Sequence, residues 1–527
     1  MQARSRRTFR AAWAVVLLLA APAVAGCLGP KPEPVSHTDG DTPGVAAGPL
    51  PPVPDFVWTP SRPLAGQTVQ FLDRSTDPDD AIAKRTWKLP DSSTLEGDRA
   101  SFTFRDAGTF GIRLTVQDAS GLNASLDKQV VVLPLNGTPL DGSGSLPSGP
   151  RSHVVVALVD TGINPYHDLY RSAPLGDPGA MLEGYPVDAK PLALTLGSDY
   201  GADRKADETL WGKTELNQLY YFPGTRIVGG ISFGHDSFSN SAANDIPVLD
   251  EDGHGTATSS RVAMMAPDAW IVMVEAGASS LEDAIAWAAN QPWIDVISIS
   301  IGPLADLPTS QEGDPGTHAA WGAGKIVFTA AGNEPTLSPT SPLSGPVWVV
   351  SVGAALPDKG GEPGTAAKGM DIVSDYDPET ADFDSVNGTQ PRSGTSFSTP
   401  TAAGVVAEAL YLARDAAGWS RGLADGKLVG GNGPGLLADG LTNAELRDAM
   451  NGVAVYWDVT RWGPSGLSLP ILPVAPWVQM GWGYVGPDEV ATLSQVLLSG
   501  TVPTKGPDAQ AYMGAVMSLR ESLWGPA

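Results

Sequence analysis

The sequence predicts an α/β fold, with a parallel sheet that carries helices on both faces, preceded by a small all-β sandwich. From residue 151 onward, apolar runs of strand length alternate with helical patterns, as in repeated strand and helix units. Runs such as residues 154–159 (VVVALV) are continuously apolar, which is typical of strands buried on both faces of a parallel sheet. Between residues 54 and 133, short alternating stretches are separated by Gly, Asp and Ser turns, a spacing that favours a sandwich.

Composition limits the classes of protein to which the chain can belong. Of its 527 residues, 42% are hydrophobic and 17% are charged, which fits a globular protein and excludes a fibrous or disordered one. There are 33 Lys and Arg against 58 Asp and Glu, a net charge of −25, so we expect no nucleic acid partner. The single cysteine can form neither an intrachain disulfide nor a Cys-based metal site.

The first 26 residues have the pattern of an export signal. A cluster of arginines is followed by an apolar run, residues 11–25, that is shorter than the roughly 20 residues a membrane-spanning helix needs. Residues 5–10 (SRRTFR) resemble a twin-arginine export motif, and residues 24–27 (VAGC) resemble a lipobox. We therefore predict a signal peptide over residues 1–26 and a lipid anchor at Cys27 that attaches the protein to the membrane. The expected location is the outer face of the cytoplasmic membrane, with secretion as the alternative.

The predicted sandwich, residues 54–133, lies between two linkers. Residues 27–53 and 134–150 consist of Pro, Gly and polar residues without hydrophobic periodicity. Between them, the stretches AGQTVQF, STDPD and AGTF, together with Trp87, resemble a PKD domain. Residues 88–91 (KLPD) depart from the aromatic-Gly-Asp-Gly that usually follows the tryptophan. The resemblance implies an extracellular spacer or binding module.

Four glycine-marked motifs interrupt the pattern of strands and helices, two after an expected strand and two at the start of an expected helix. They are Asp160-Thr161-Gly162, Gly253-His254-Gly255, Ala331-Gly332-Asn333 and Gly394-Thr395-Ser396. Ligands of such sheets bind beyond the carboxyl ends of the strands, so these residues are the candidates for chemistry. Taken singly, the Asp fits a turn cap, the His a structural residue and the Ser a helix cap. Taken together, Asp, His and Ser stand in one of the orders of a nucleophilic triad.

With these motifs, residues 150 to 500 resemble the subtilisin-like serine proteases. The resemblance implies that His254 is the general base, that Asp160 orients its imidazole and that Ser396 is the nucleophile. It also implies that Asn333 donates to the oxyanion beside the Ser396 N–H. The predicted function is that of a serine endopeptidase acting on proteins or peptides, with no cofactor required for the chemistry. The alternative is an inactive cell-surface adhesion or interaction protein, which would be free to lose one of the four residues.

Substrate binding is predicted at Ser300-Ile301-Gly302, which matches the segment that pairs with extended peptides in that family. Pro303 stands where a second glycine is common, which affects the shape of the adjacent pocket. Residue 398 is Ser where the G-x-S-x-G motif needs Gly, which argues against an esterase or lipase. The peptidase domain is predicted over residues 151–500, and a C-terminal extension over 501–527.

The sequence also predicts the structure of three further parts of the chain. The long stretch between Asp160 and His254 is interpreted as an insertion near the substrate cleft, a surface elaboration rather than a lid or exosite. The acidic clusters around Asp250 and Asp371 are interpreted as solvated faces; structural calcium is compatible with the resemblance, but no ligand is assigned. Residues 477–485 (WVQMGWGYV) are expected to form a closing strand before a last helix.

Overall fold

A computed structural model gives the fold of the chain. It describes residues 50–59, 63, 68–73, 75–79, 81–104, 108–132, 153–171, 177–234, 246–302, 314–333, 343–355, 370–417, 427–431, 433–456 and 475–527. The predicted signal peptide, the lipid anchor at Cys27 and the linker at 134–150 lie outside the described residues. In the described part of the chain, no helix is long and apolar enough to cross a membrane.

The N-terminal part of the described chain is a β-sandwich. Its strands are β1 (Phe56–Thr59), β2 (Thr68–Asp73), β3 (Ile82–Lys88), β4 (Thr94–Glu96), β5 (Arg99–Thr103), β6 (Gly108–Asp118) and β7 (Asn123–Val132). They form two antiparallel sheets, ordered β1-β2-β5 and β4-β3-β6-β7. Apolar side chains of both sheets form one core, in which Trp87 is fully buried and donates from Nε1 to the Gly97 carbonyl at 2.9 Å. The predicted sandwich is confirmed.

The second part is built on a nine-stranded sheet, ordered β16-β15-β14-β13-β8-β12-β11-β10-β9. Its strands are β8 (Val155–Asp160), β9 (Lys190–Pro191), β10 (Tyr220–Tyr221), β11 (Ile227–Ser232), β12 (Trp270–Glu275), β13 (Val296–Ile299), β14 (Ile326–Ala330), β15 (Val350–Ala355) and β16 (Ile372–Asp375). All neighbours from β16 to β11 are parallel, whereas β10 runs antiparallel to β11. A separate hairpin consists of β17 (Glu379–Ala381) and β18 (Thr389–Pro391).

The α-helices of the described residues all belong to this second part. They are α1 (Tyr200–Ala206), α2 (Glu208–Trp211), α3 (His254–Met265), α4 (Leu281–Asn290), α5 (Pro315–Gly322), α6 (Thr395–Ala417), α7 (Asn443–Val453), α8 (Pro476–Met480), α9 (Glu489–Ser499) and α10 (Pro507–Trp524).

The two faces of β8 show why the sheet is covered on both sides. Val156 and Leu158 belong to a core cluster that includes residues of α3, α6, α7 and α9. Ala157 and Val159 belong to a second cluster, which includes residues of α4 and α5. Successive side chains of a strand point to opposite faces, so a continuously apolar strand is stable only when both faces are covered. The predicted parallel sheet with helices on both faces is confirmed.

Strand β8 is also the place where the strand order reverses. Its neighbours are β12 on one side and β13 on the other. In sheets of this type, the crevice beyond the carboxyl ends at such a point is the usual ligand site. Asp160 ends β8 and Ser300 directly follows β13, so two of the predicted site residues lie at this crevice.

The segment between Asp160 and His254 extends the sheet at its edge with β9 and β10 and adds α1 and α2. A chain of hydrogen bonds joins three residues within the segment. Trp211 Nε1 donates to Tyr166 Oη at 2.7 Å, and Tyr166 Oη donates to the Asp207 carboxylate at 3.0 Å. Trp211 is only 2% exposed and belongs to the same core cluster as Val156 and Leu158, so this part of the insertion is packed onto the core of the sheet.

The expectation of a closing strand at residues 477–485 is wrong. Helix α8 begins at Pro476, a residue that suits the first helical position because an N–H there would have no helical acceptor. It ends at Met480, before Gly481, which has a φ of 61°. Tyr484 forms isolated bridges to Val373 and Val455 instead of continuing a strand. Two helices, α9 and α10, then follow where one was expected.

The expectation of a solvated acidic face at Asp371 is also wrong. This carboxylate is fully buried and accepts from Arg447 Nη2 at 2.6 Å and from Arg520 Nη1 at 2.8 Å. Burial alone would raise the pKa of Asp371, but the two guanidinium groups outweigh it and lower the pKa. Because Arg520 lies in α10, the predicted C-terminal extension is tied directly to the start of β16.

Candidate active site

Asp160 is held at the end of β8 by contacts to both of its carboxylate oxygens. Oδ1 accepts from the Thr161 N–H at 2.9 Å and lies 2.7 Å from His254 Nδ1. Oδ2 accepts from Thr258 Oγ1 at 3.0 Å. The residue is 1% exposed, and a buried carboxylate with charge-assisted bonds on both oxygens is fixed in one orientation.

His254 begins α3 and follows a glycine that the local geometry requires. Gly253 has a φ of 92°, and a Cβ there would lie 2.7 Å from the Phe383 ring and 3.0 Å from Arg392 Nη2. Asp160 can only accept, so we assign the imidazole proton to Nδ1, which leaves Nε2 as the basic nitrogen.

The turn around His254 packs tightly against the turn after Asp160. A Cβ at Gly255 would lie 2.1 Å from the carbonyl oxygen of Gly162, so a larger residue at 255 would push the two turns apart. The Gly255 N–H donates to Thr161 Oγ1 at 2.9 Å. The two glycine motifs seen in the sequence are therefore in direct contact, although Gly162 and Gly255 are 93 positions apart.

Ser396 is the second residue of α6, and its neighbour Phe397 brings this helix to the imidazole. The ring centroids of Phe397 and His254 are 5.4 Å apart. The Ser396 hydroxyl donates to the main-chain carbonyl of Ser300 at 3.2 Å. Its N–H belongs to the first turn of α6, where N–H groups have no helical acceptor and carry the positive end of the helix dipole. This turn is suited to stabilise a developing negative charge.

Asn333 follows β14 and is oriented by the residue before the serine. Its Oδ1 accepts from the Thr395 N–H at 2.9 Å and from Thr395 Oγ1 at 3.0 Å. A backbone N–H can only donate, so the atom facing it is the oxygen, and Nδ2 remains as the donor. A Cβ at Gly394 would lie 3.2 Å from Asn333 Oδ1, which shows how closely the amide approaches the turn before Ser396.

The predicted substrate segment lies beside the same crevice. Ser300 is 6% exposed and accepts the Ser396 hydroxyl, while Ile301 and Gly302 are half-buried. The pairing of a peptide with this segment stays a prediction, and Pro303 lies outside the described residues.

The charges around His254 favour its protonated form. Burial alone would lower the pKa of His254, but the adjacent Asp160 carboxylate, together with Asp252 and Asp250, raises it above the usual imidazole value. An imidazole in this environment takes up a proton more readily than a free one. That is the property a general base needs as it takes the proton of a hydroxyl.

Three further residues, which the sequence did not mark as candidates, contact this arrangement. Thr161 Oγ1 accepts from the Gly255 N–H, and Thr258, one helical turn after the histidine, donates to the Asp160 carboxylate. Asp250 was expected on a solvated face, but it is fully buried beside these turns. Its place four residues before His254 was the available signal, and the acidic residues around it obscured it.

Among the residues that the structure describes, no group of three or more His, Cys, Asp or Glu side chains is placed to hold a metal ion.

Comparison with known proteins adds two family matches. A model described as the subtilase family matches residues 151–423, and a model described as the PKD domain matches residues 50–133.

Solved structures match the same two parts of the chain. The prenylagaramide maturation protease PagA is 16% identical, with 67% of this chain and 94% of that chain covered and a TM-score of 0.35. The PKD1 domain of the Vibrio cholerae metalloprotease PrtV is 23% identical over 16% of this chain and 98% of that domain, with a TM-score of 0.15. A carbohydrate-binding module of the β-sandwich superfamily is 23% identical over 19% of this chain, with a TM-score of 0.17, and the present chain spans 42% of its length.

Proposed function

The chain belongs to the subtilase family and is a serine endopeptidase with protein or peptide substrates, and we propose that Asp160, His254 and Ser396 form its catalytic triad. The observation that carries the assignment is the contact of 2.7 Å between Asp160 Oδ1 and His254 Nδ1, at the carboxyl end of β8. It supports a histidine that is fixed in the tautomer a general base needs.

In the proposed mechanism, His254 Nε2 takes the proton of Ser396 as the hydroxyl oxygen attacks the scissile carbonyl carbon. The hydroxyl turns about its Cα–Cβ bond from the Ser300 carbonyl toward Nε2 to do so. The imidazolium then gives its proton to the leaving amine, which leaves Ser396 acylated. A water molecule next attacks the acyl carbon while His254 takes its proton, and His254 returns that proton to Ser396 as the acid product leaves. Asp160 stabilises the imidazolium and stays ionised throughout.

Asn333 Nδ2 and the Ser396 N–H are proposed to donate to the oxyanion of the tetrahedral intermediate. The support is the orientation of the Asn333 amide, whose oxygen is occupied by Thr395. Donors that are fixed before the charge develops cost no reorganisation during the reaction, and this makes them effective. The protein supplies nucleophile, base and oxyanion donors itself, so the proposed chemistry needs no cofactor, and calcium enters the proposal only as a structural ion.

An extended substrate is proposed to pair with Ser300, Ile301 and Gly302. The support is their position directly after β13, beside the hydroxyl of Ser396. Main-chain hydrogen bonds to such a segment would hold many peptide sequences in the same register, with side-chain pockets left to set the preference.

The enzyme is proposed to be exported and anchored by lipid at Cys27, on the outer face of the cytoplasmic membrane. The support lies in the arginine cluster, the apolar residues 11–25 and the small residues before the single cysteine.

The experiment that tests the triad is labelling of the purified protein by a fluorophosphonate, with casein cleavage in parallel. The Ser396→Ala variant is expected to lose both labelling and cleavage. The matched control is Ser393→Ala, which removes an exposed hydroxyl three residues earlier that donates to Asp377 at 2.9 Å, and it is expected to keep both. A folded Ser396→Ala protein that is still labelled or still cleaves casein would refute the assignment.

A further inference from the structure

Asp250 is a buried carboxylate that the proposed mechanism does not use. It is fully buried, in the turn that leads into α3. Oδ1 accepts from the N–H groups of Asp252 at 3.1 Å and Gly253 at 2.8 Å. Oδ2 accepts from the Thr256 N–H at 2.7 Å. One carboxylate therefore gathers main-chain donors from both sides of His254.

The same carboxylate is tied to the turn that carries Asp160. Thr161 Oγ1 donates to Asp250 Oδ1 at 3.2 Å and accepts from the Gly255 N–H at 2.9 Å. The main chains are equally close, since a Cβ at Gly162 would lie 2.9 Å from the Cα of Asp250. Hence Thr161 links the strand that ends in Asp160 to the turn that presents His254, and Asp250 is the acceptor at the centre of that link.

The charge of Asp250 also acts on the imidazole. Burial raises the pKa of Asp250 to about 6, against the effect of its hydrogen bonds, and the neighbouring Asp160 adds to the increase. When ionised, Asp250 contributes to the raised pKa of His254. The other ionisable groups around Asp250 are Asp252 and Glu251 of its own turn, Tyr170 and Tyr200. Glu251 is paired with Arg204 at 2.6 Å, so its charge is largely compensated.

We infer that Asp250 is a positioning residue of the triad, which fixes the turn that presents His254 to Asp160 and places a second negative charge beside the imidazole. This inference rests on the proposed function. It differs from a merely structural role, in which Asp250 would satisfy the N–H groups of its turn and contribute to stability alone. A positioning role predicts a changed pH profile and a loss of activity that lies in kcat and not in KM. A merely structural role predicts neither.

The experiment measures kcat and KM against pH for a chromogenic peptide that the wild-type full-length chain cleaves. In the wild type, Asp250 must be ionised and His254 must be neutral for activity. On the acid side, log kcat/KM is therefore expected to fall with pH at a slope greater than one. Asp250→Asn removes one of these ionisations and a charge that favours the imidazolium. Its acid limb is expected to have a slope of one and to move to lower pH. We expect kcat to fall about 10- to 100-fold from misplacement of the base, with KM within about threefold.

The matched control is Glu251→Gln, which removes a neighbouring carboxylate that is paired with Arg204 and leaves the four acceptor contacts of Asp250 in place. It is expected to keep the wild-type kcat and the wild-type slope. Thr161→Val breaks the link between the two turns and keeps the carboxylate, so a loss in kcat of about tenfold with the wild-type slope is expected. Thr161→Ser restores the hydroxyl and is expected to restore kcat.

An Asp250→Asn enzyme with kcat within threefold of the wild type and an unchanged acid limb would overturn the inference. If that variant does not fold, Thr161→Val decides, and a wild-type kcat there would overturn the inference equally. A wild-type protein that is neither labelled by fluorophosphonate nor active would instead refute the proposed triad, which the variants at 250 and 161 do not test.

Discussion

Replacing Asn333 by aspartate changes one side-chain atom, the amide nitrogen, into an oxygen, and so separates the two contacts this residue is proposed to make. The oxygen that accepts from the Thr395 N–H at 2.9 Å and from Thr395 Oγ1 at 3.0 Å is kept. The nitrogen that is proposed to donate to the oxyanion is lost. Asn333→Ala is the companion variant, because it removes both contacts.

The two variants are expected to rank in opposite order for activity and for stability. Loss of one oxyanion donor costs about 2.7 to 4 kcal/mol of transition-state stabilisation, so Asn333→Ala is expected to lower kcat roughly 100- to 1000-fold. Asn333→Asp is expected to lower it further, because a negative oxygen then faces the oxyanion. In stability, alanine leaves the buried Thr395 N–H and hydroxyl without their acceptor, at about 1 to 3 kcal/mol, whereas aspartate keeps that acceptor.

The assay is single-turnover acylation by a chromogenic peptide ester, with chemical denaturation of the same samples. KM is expected to change little, since the donor acts where charge develops and not on the bound ground state. An aspartate variant that keeps more than a tenth of the wild-type kcat, or that is more active than the alanine variant, would refute the assigned orientation of the amide.

Two further predictions concern the ends of the chain. Cys27→Ser is expected to move the enzyme from the membrane fraction to the soluble exported fraction with casein cleavage unchanged; equal membrane retention of variant and wild type would contradict the lipid anchor. Arg520→Leu leaves the buried Asp371 with one of its two guanidinium partners, and we expect the free energy of unfolding to drop by about 3 kcal/mol. Arg113→Leu, which breaks an exposed ion pair, is the control and is expected to leave the free energy of unfolding nearly unchanged. If urea unfolding shows the same loss of unfolding free energy in both arginine variants, burial does not increase the contribution of the ion pair to stability.

The sequence predicted the sandwich and the parallel sheet because their signals are local. Alternating apolar residues between turn residues describe β6, and a continuous apolar run describes β8, without reference to distant contacts. The same local reading failed at Trp477. Its apolar and aromatic neighbours fit a strand, but Pro476 and Gly481 start and stop a helix there.

The sequence alone determined which residues are candidates for the chemistry, since Asp160, His254, Asn333 and Ser396 each stand in a glycine-marked motif after or before a regular element. The tertiary structure decided what surrounds them. Thr395 orients Asn333 from 62 positions away, and Thr161 reaches Asp250 across 89. Whether a carboxylate faces water or is buried depends on such distant partners. A cluster of Asp and Glu residues in the sequence is the same whether it is exposed or buried. The burial of Asp250 was therefore decided by the packing of two turns against each other, which no local pattern records.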